Sequence, residues 1–248
     1  MYDAPKFLGS GDSCLVVEFS DSIEMEANFR LQNLMRALAS KNVRGVREFV
    51  PTYRSLSIHY DPLKLGREKL ETAVRKTLEN LGGERGETRR VLVMPVCYGG
   101  EHGPDMPHVC AHTGYGENEV IKRHTDAEYY CYMLGFTPGF AYLGGLDETL
   151  ATPRLKAPRA LIPAGSVGIA DRQTGAYSID CPGGWQLIGR TPLRLFDPDD
   201  GERPTLIDAG DWIKFRSVPK DEYASIKRDA DAGCYRAEWL MERNAVQG

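Results

Sequence analysis

Pro158–Arg190 reads PRALIPAGSVGIADRQTGAYSIDCPGGWQLIGR. Six glycines, Gly165, Gly168, Gly175, Gly183, Gly184 and Gly189, break it into short apolar runs. Glycine serves where backbone turns with positive φ or approaches another group closely. Runs such as Ala160–Ile162, Ser166–Ala170 and Trp185–Ile188, punctuated this way, read as short strands joined by tight turns. Between the glycines stand Arg159, Ser166, Gln173, Tyr177, Trp185, Gln186 and Arg190. Polar and aromatic side chains between turns are a usual pocket lining. The stretch is therefore either a β-rich unit with tight hairpins or the wall of a pocket for a small polar or anionic molecule.

The same texture continues on both sides. Tyr129–Leu134, Leu193–Phe196 and Trp212–Phe215 are further short apolar runs, and their spacing argues for an antiparallel barrel or sandwich. Short helices are expected near Met106–His112 and Glu117–His124, and Lys220–Arg243 is polar and helical in flavour, with Tyr223, Ile226 and Trp239 as anchors. The first third differs. Leu15, Val17 and Phe19 alternate, as do Leu56, Ile58 and Tyr60 after Val46–Val50, which is the strand period. Asp21 and Glu24 have capping-box spacing ahead of a helix with Ala27, Leu31, Leu34 and Leu38 on one face. Leu70, Val74, Leu78 and Leu81 mark a second helix, with Gly82 and Gly83 as its C-cap. With Val91, Val93 and Val96 as a last strand, the order is β-α-β-β-α-β, the ferredoxin-like split pattern. The expected organisation is an α+β domain over residues 1–88, a mainly β domain over 89–219 and a helical tail over 220–248, with GGERGETRR, Gly82–Arg90, at the boundary.

The 248 residues are 42% hydrophobic and carry a net charge of −4 with both signs interspersed. That gives no basic patch for nucleic acid and no polybasic membrane anchor. No apolar run approaches membrane-spanning length, and MYDAPKFLGSGDSC at the N-terminus lacks the pattern of a signal peptide. The six cysteines are dispersed without a CxxC, so free thiols and a cytoplasmic location are expected.

GFTPGFAYLGGLD, Gly135–Asp147, together with Pro158–Arg190, resembles the family called allophanate hydrolase subunit 1. That family includes 5-oxoprolinase B subunits and KipI-type inhibitors of a sporulation histidine kinase. PVCYGG at Pro95–Gly100, Gly103–Asp105, TPLRLFD at Thr191–Asp197 and Gly210–Asp211 also fit, and the likeness extends to about Pro219. The resemblance implies an α+β N-terminal domain followed by a cyclophilin-like β-barrel, without prolyl isomerase activity. It implies hydrolysis of 5-oxo-L-proline to L-glutamate with C and A subunits, at the expense of ATP. Alternatively it implies a carboxyltransferase-like subunit acting on urea or allophanate, or a histidine kinase inhibitor. ATP and Mg²⁺ would act at the level of the complex; the chain has no Walker A sequence, so none is expected on this chain alone. Where the family usually has Ser before PGGW, this chain has Cys181.

Opening a small amide or lactam requires stabilising charge on its oxygen, and oxoproline also needs a carboxylate anchor, for which Arg is best suited. Arg154, Arg159 and Arg190 lie beside the motifs, either as such anchors or in rim ion pairs. Gln173, Tyr177 and Gln186 are donors toward a substrate carbonyl or phosphate, or hairpin hydrogen bonders. Gln186, Arg159 and Tyr177 are the catalytic candidates. Arg154, Ser166, Gln173, Gly183, Gly184, Trp185 and Arg190 are the substrate-binding candidates. Ser166 has no histidine in its motif to activate it. Phe136, Phe140 and Tyr142 are the candidate partner interface, with pocket wall and plain core as the other readings. His108 and His112 have i, i+4 spacing, with His102, Cys110 and His124 nearby. No third ligand position is defined, so no metal site is assigned. His124 reads as a structural hydrogen bonder or a proton carrier.

Overall fold

A computed structural model describes residues 1–81 and 88–243. The Gly82–Gly83 C-cap and most of the expected boundary run lie outside the described residues. Two compact units are present, one formed by Met1–Thr88 together with Arg243 and one running Arg89–Glu242.

The first unit is an antiparallel sheet with two helices. Its elements are β1 (Lys6–Gly9), β2 (Cys14–Glu18), α1 (Met25–Ser40), β3 (Val46–Pro51), β4 (Ser55–Tyr60) and α2 (Arg67–Asn80), and the sheet order is β1-β2-β4-β3. Leu15, Val17, Leu56 and Ile58 form one sheet face and pack with Ala27, Leu31, Leu34, Leu38, Leu70 and Val74 of the helices. The expected capping box does not form. Helix α1 starts at Met25 behind Glu24, whose carboxylate accepts from the Ser20 and Ser22 hydroxyls and the N-terminal ammonium.

The strand expected to complete this sheet belongs elsewhere. Val91, Val93 and Val96 lie on β5 (Thr88–Tyr98), which joins the second unit, and β1 occupies the position beside β2. The reason is burial. Val91, Leu92, Val93, Met94, Val96 and Cys97 are all buried, so the strand is apolar on both faces and suits a wall covered on both sides.

The second unit continues with α3 (Met106–Thr113), α4 (Glu117–Asp126), β6 (Glu128–Leu134), β7 (Ala141–Gly144), β8 (Arg159–Ile162), β9 (Ser166–Ala170), β10 (Gln173–Ala176), β11 (Cys181–Gly183), β12 (Gln186–Arg190), β13 (Trp212–Ser217), α5 (Lys220–Asp231) and β14 (Glu238–Arg243). Seven strands close in the order β5-β12-β9-β10-β7-β6-β13, and β13 returns to β5 in parallel. This is the mainly β, cyclophilin-like barrel; closure leaves no free barrel edge. Leu92, Met94, Tyr129, Cys131, Leu143, Val167, Ile169, Ile188, Ile213 and Phe215 belong to its core. Strands β8 and β11 form a separate two-stranded flap. Among the described residues of the expected 220–248 tail, only α5 is helical; β14 follows and pairs with β5. All six cysteines are free. Among the described residues, no helix is long and apolar enough to cross a membrane.

Candidate functional site

The GFTPGF run closes on itself. Gly135 N–H donates to Phe140 O (3.1 Å), Thr137 N–H to Gly135 O (2.7 Å) and Phe140 N–H to Thr137 O (3.1 Å). Gly139 has φ +75°, and a Cβ there would lie 3.0 Å from Leu195 O, so only glycine fits. Phe136 is held at φ +63°, a left-handed conformation that costs a bulky side chain energy. Its ring is 62% exposed, whereas Phe140, four residues on, is 2% exposed.

This turn forms one wall of a cleft of about 240 Å³ on the outside of the barrel. Phe136, Phe140, Tyr142, Arg154, Pro158, Tyr177, Pro182, Gly183, Gly184 and Trp185 line it. Phe140 is the hub. Its ring meets Phe136, Tyr142, Tyr177 and Trp185 edge-to-face at centroid distances of 5.6, 5.2, 5.4 and 5.5 Å, the favoured geometry for aromatic pairs. Cross-strand partners Gly175 and Gly168 make room for this cluster. A Cβ on Gly175 would lie 3.3 Å from the Trp185 ring and 3.4 Å from that of Phe140, and one on Gly168 would lie 3.2 Å from Trp185 Cβ. A Cβ on Gly183 would come within 2.5 Å of the Tyr177 hydroxyl oxygen. These three glycines seat aromatic rings against backbone.

The cleft thus brings together Phe136, Phe140, Tyr142, Arg154, Tyr177, Gly183, Gly184 and Trp185, and leaves the other candidates outside. Among the described residues Arg154 is its only cation, with Nε 3.4 Å from the exposed Asp171 carboxylate. An exposed pair of this kind is weak and leaves the guanidinium open to an anionic ligand. Tyr177 is buried. Burial first, then Cys181, raises its pKa to about 12 against the lowering effect of the Trp185 N–H, Arg154 and Arg159. At neutral pH it is a phenol, suited to donating a hydrogen bond and unsuited to acting as a base.

Gln186 does not face the cleft. It lies opposite Ile169, as does Thr174 on the next strand, so all three point into the barrel. Its Nε2 donates to Pro153 O (2.8 Å), and its buried Oε1 has no partner among the described residues. Trp185 took the outer side, and strand alternation sends its neighbour inward. Arg159 is a brace. Its Nη2 donates to Asp105 Oδ1 (2.7 Å) and its Nη1 reaches Trp185 O (3.5 Å). Asp105 Oδ2 accepts from Leu187 N–H (2.7 Å), and Asp105 N–H donates to Leu187 O (3.0 Å). The Gly103–Asp105 motif carries no local sign of this role, because the partners of Asp105 are far from it in sequence.

Ser166 is buried with Oγ donating to Pro163 O (2.7 Å), a turn contact away from the cleft. Gln173 begins β10 at the β9–β10 hairpin, also outside it. Arg190 ends β12, with Nε donating to Ala164 O (2.9 Å). Phe140 is an interior ring, so of the candidate interface aromatics Phe136 is the exposed one. Pro158 and Pro182 line the cleft unforeseen; prolines beside glycine runs carry that signal only in retrospect. The His108 and His112 rings stack at 6.5 Å, and no group of three or more potential metal ligands occurs among the described residues.

His124 is fully buried. Thr174 Oγ1 donates to Gly168 O (3.0 Å), so it accepts from His124 Nε2 (2.8 Å), and His124 Nδ1 then accepts from Tyr98 O–H (2.8 Å). The bonding pattern fixes a neutral Nε2–H imidazole, and burial lowers its pKa to about 3. It is a structural hydrogen bonder.

Residues 5–207 match the family model described as carboxyltransferase domain, subdomain C and D. The B subunit of 5-oxoprolinase from Bacillus subtilis (strain 168) is 39% identical over 89% of this chain and 96% of its own length. The urea amidolyase of Saccharomyces cerevisiae is 25% identical over 92% of this chain, which spans 14% of that protein. Among solved structures, TTHA0988 superposes with a TM-score of 0.75 at 36% identity, covering 83% of this chain, which spans 40% of that one.

Proposed function

This chain belongs to the carboxyltransferase domain, subdomain C and D family, and from that premise we propose that it is the B subunit of an ATP-dependent 5-oxoprolinase. The observation that carries the proposal is its 39% identity, nearly end to end, to a protein named for that role. The cleft chemistry agrees with it. A five-membered lactam is a small apolar ring with a carboxylate and an amide. Phe140 and Trp185 offer an apolar aromatic lining, Arg154 an anchor for the carboxylate, and the Tyr177 phenol a donor for the amide oxygen.

The described lining residues include no carboxylate, no histidine and no hydroxyl or thiol paired with a base. They do not fit a Mg²⁺–nucleotide, so no step in this cleft runs through ATP. On this proposal nucleotide, Mg²⁺ and the remaining reacting groups enter with the related C subunit and the A subunit. The cleft's role is to bind and orient the lactam. Reconstitution tests this: mixing the chain with A and C subunits should give ATP-dependent release of L-glutamate from 5-oxo-L-proline, and an Arg154→Gln chain should raise KM about tenfold with kcat little changed. A complex that assembles but gives no turnover would refute the assignment.

A second reading, a carboxyltransferase-like subunit acting on urea or allophanate, is favoured by the family description and the urea amidolyase likeness. Carboxylation of urea by a complex containing this chain and a biotin carrier would select it.

A further inference from the structure

Arg190 leaves a guanidinium without a carboxylate. Its Nε is bonded to Ala164 O, and its two Nη groups have no partner among the described residues. It lies four residues beyond Gln186 on β12, roughly 13 Å along the strand and away from the aromatic cleft. Directly opposite it in the ladder is Cys97, which packs with Tyr223 of α5. Tyr223 is 8% exposed, and its hydroxyl has no hydrogen-bond partner among the described residues. The His102 ring lies against Tyr223 at 4.4 Å between centroids, and among the described residues neither ring nitrogen is bonded. Lys220, at the start of α5, is ion-paired with Glu101 (3.1 Å) beside them.

The electrostatics join these groups into one site. Burial lowers the pKa of His102 and raises those of Tyr223 and the Cys97 thiol; the Arg190 charge pulls both His102 and Tyr223 downward, and Lys220 does the same to His102 and Cys97. For each of these three groups burial is the largest influence. Glu101, held by Lys220, opposes the cations at both His102 and Tyr223, and Asp231 opposes them at Tyr223. A half-buried guanidinium, an imidazole and a nearly buried phenol with an unused O–H thus share one location. Their unused donors have no acceptor among the described residues and remain open to solvent, and a group of such donors on partly buried side chains is a place where an anion can be held.

We propose that Arg190, His102 and Tyr223, with Lys220 at the rim, form a second site that binds a phosphate group. Two Nη groups, an imidazole N–H and a phenol O–H provide more donors than the two oxygens of a carboxylate readily use, and they match the oxygens of a tetrahedral phosphate. The site stands apart from the lactam cleft and does not depend on what that cleft binds.

The test is calorimetric titration of the full chain with inorganic phosphate, with glycerol 3-phosphate to distinguish a free from an esterified group and acetate as the carboxylate control, all at constant ionic strength. Saturable phosphate binding is expected, with acetate at least tenfold weaker and the His102 ring resonances shifting in NMR spectra. Arg190→Gln should weaken binding tenfold or more, Tyr223→Phe and His102→Gln several-fold, and Arg154→Gln in the cleft not at all. Should Arg190→Gln fail to fold, the other two variants still decide. Absence of saturable binding, wild-type affinity in Tyr223→Phe and His102→Gln, or loss on Arg154→Gln would each overturn the proposal.

Discussion

His124 shows how one residue's environment becomes a property of the fold. Unfolded, its imidazole titrates near its ordinary value of 6.5; folded, it titrates at about 3. The unfolded state therefore binds more protons between those values. Stability is full above pH 6.5 and falls as pH drops toward 3, by on the order of 1 kcal/mol per pH unit. Urea unfolding between pH 7 and 5, above the range of the ion-paired carboxylates, should show this slope in the wild type and lose the greater part of it in His124→Gln, the remainder coming from His102, whose pKa burial also lowers. Cys181 illustrates the opposite expectation for function. Burial first, and then Asp180, raises its thiol pKa, so it is a poor nucleophile. Cys181→Ser should keep near-normal turnover in the reconstituted complex. At pH 7.5, mass spectrometry should find Cys181 alkylated by iodoacetamide far more slowly than the exposed Cys234.

At the scale of elements, the GFTPGF turn joins two phenylalanines of opposite character. Phe140 is the hub of the aromatic cluster, so Phe140→Ala should cost about 3–5 kcal/mol in denaturant unfolding. Phe136 projects from a strained backbone at the cleft mouth, and Phe136→Ala should leave stability within about 1 kcal/mol. Its effect is expected on association with the C subunit, measurable as a raised Kd; an unchanged Kd would remove Phe136 from the interface. The other element-level device is the Asp105 brace, which ties α3 to β12 and to Arg159 on the flap. Asp105→Ala leaves the buried Leu187 N–H without its carboxylate partner. It should destabilise the chain by about 1–3 kcal/mol, with more of the flap backbone open to hydrogen exchange. A conservative Asp105→Asn retains an acceptor and should recover part of the loss.

At the scale of the whole molecule, the cleft holds a wall, an anchor and a donor but no self-contained nucleophile and base. The isolated chain should therefore release no glutamate from oxoproline, with or without Mg²⁺ and ATP. Robust turnover by the chain alone would place the reacting groups outside the cleft.

Local pattern was enough for much of this protein. Period-two alternation in Leu15–Phe19 and Leu56–Tyr60, the apolar stripe of Ala27, Leu31, Leu34 and Leu38, and glycine-broken runs after Tyr129 each bury a face that the sequence itself marks. Motif likeness likewise identified the region of the cleft, because its walls are local turns. Three things were decided only by tertiary structure. The strand at Val91–Val96 could complete either sheet on pattern alone; its two-sided burial in the closed barrel settled it. The inward turn of Gln186 depended on which neighbour took the outer face, which is set by register with β9. The capture of Arg159 by Asp105 and the release of Arg190 from any carboxylate join residues far apart in the chain. A side chain's type fixes what it can bond, but only the closed barrel fixes which partner stands within reach and on which face it lies.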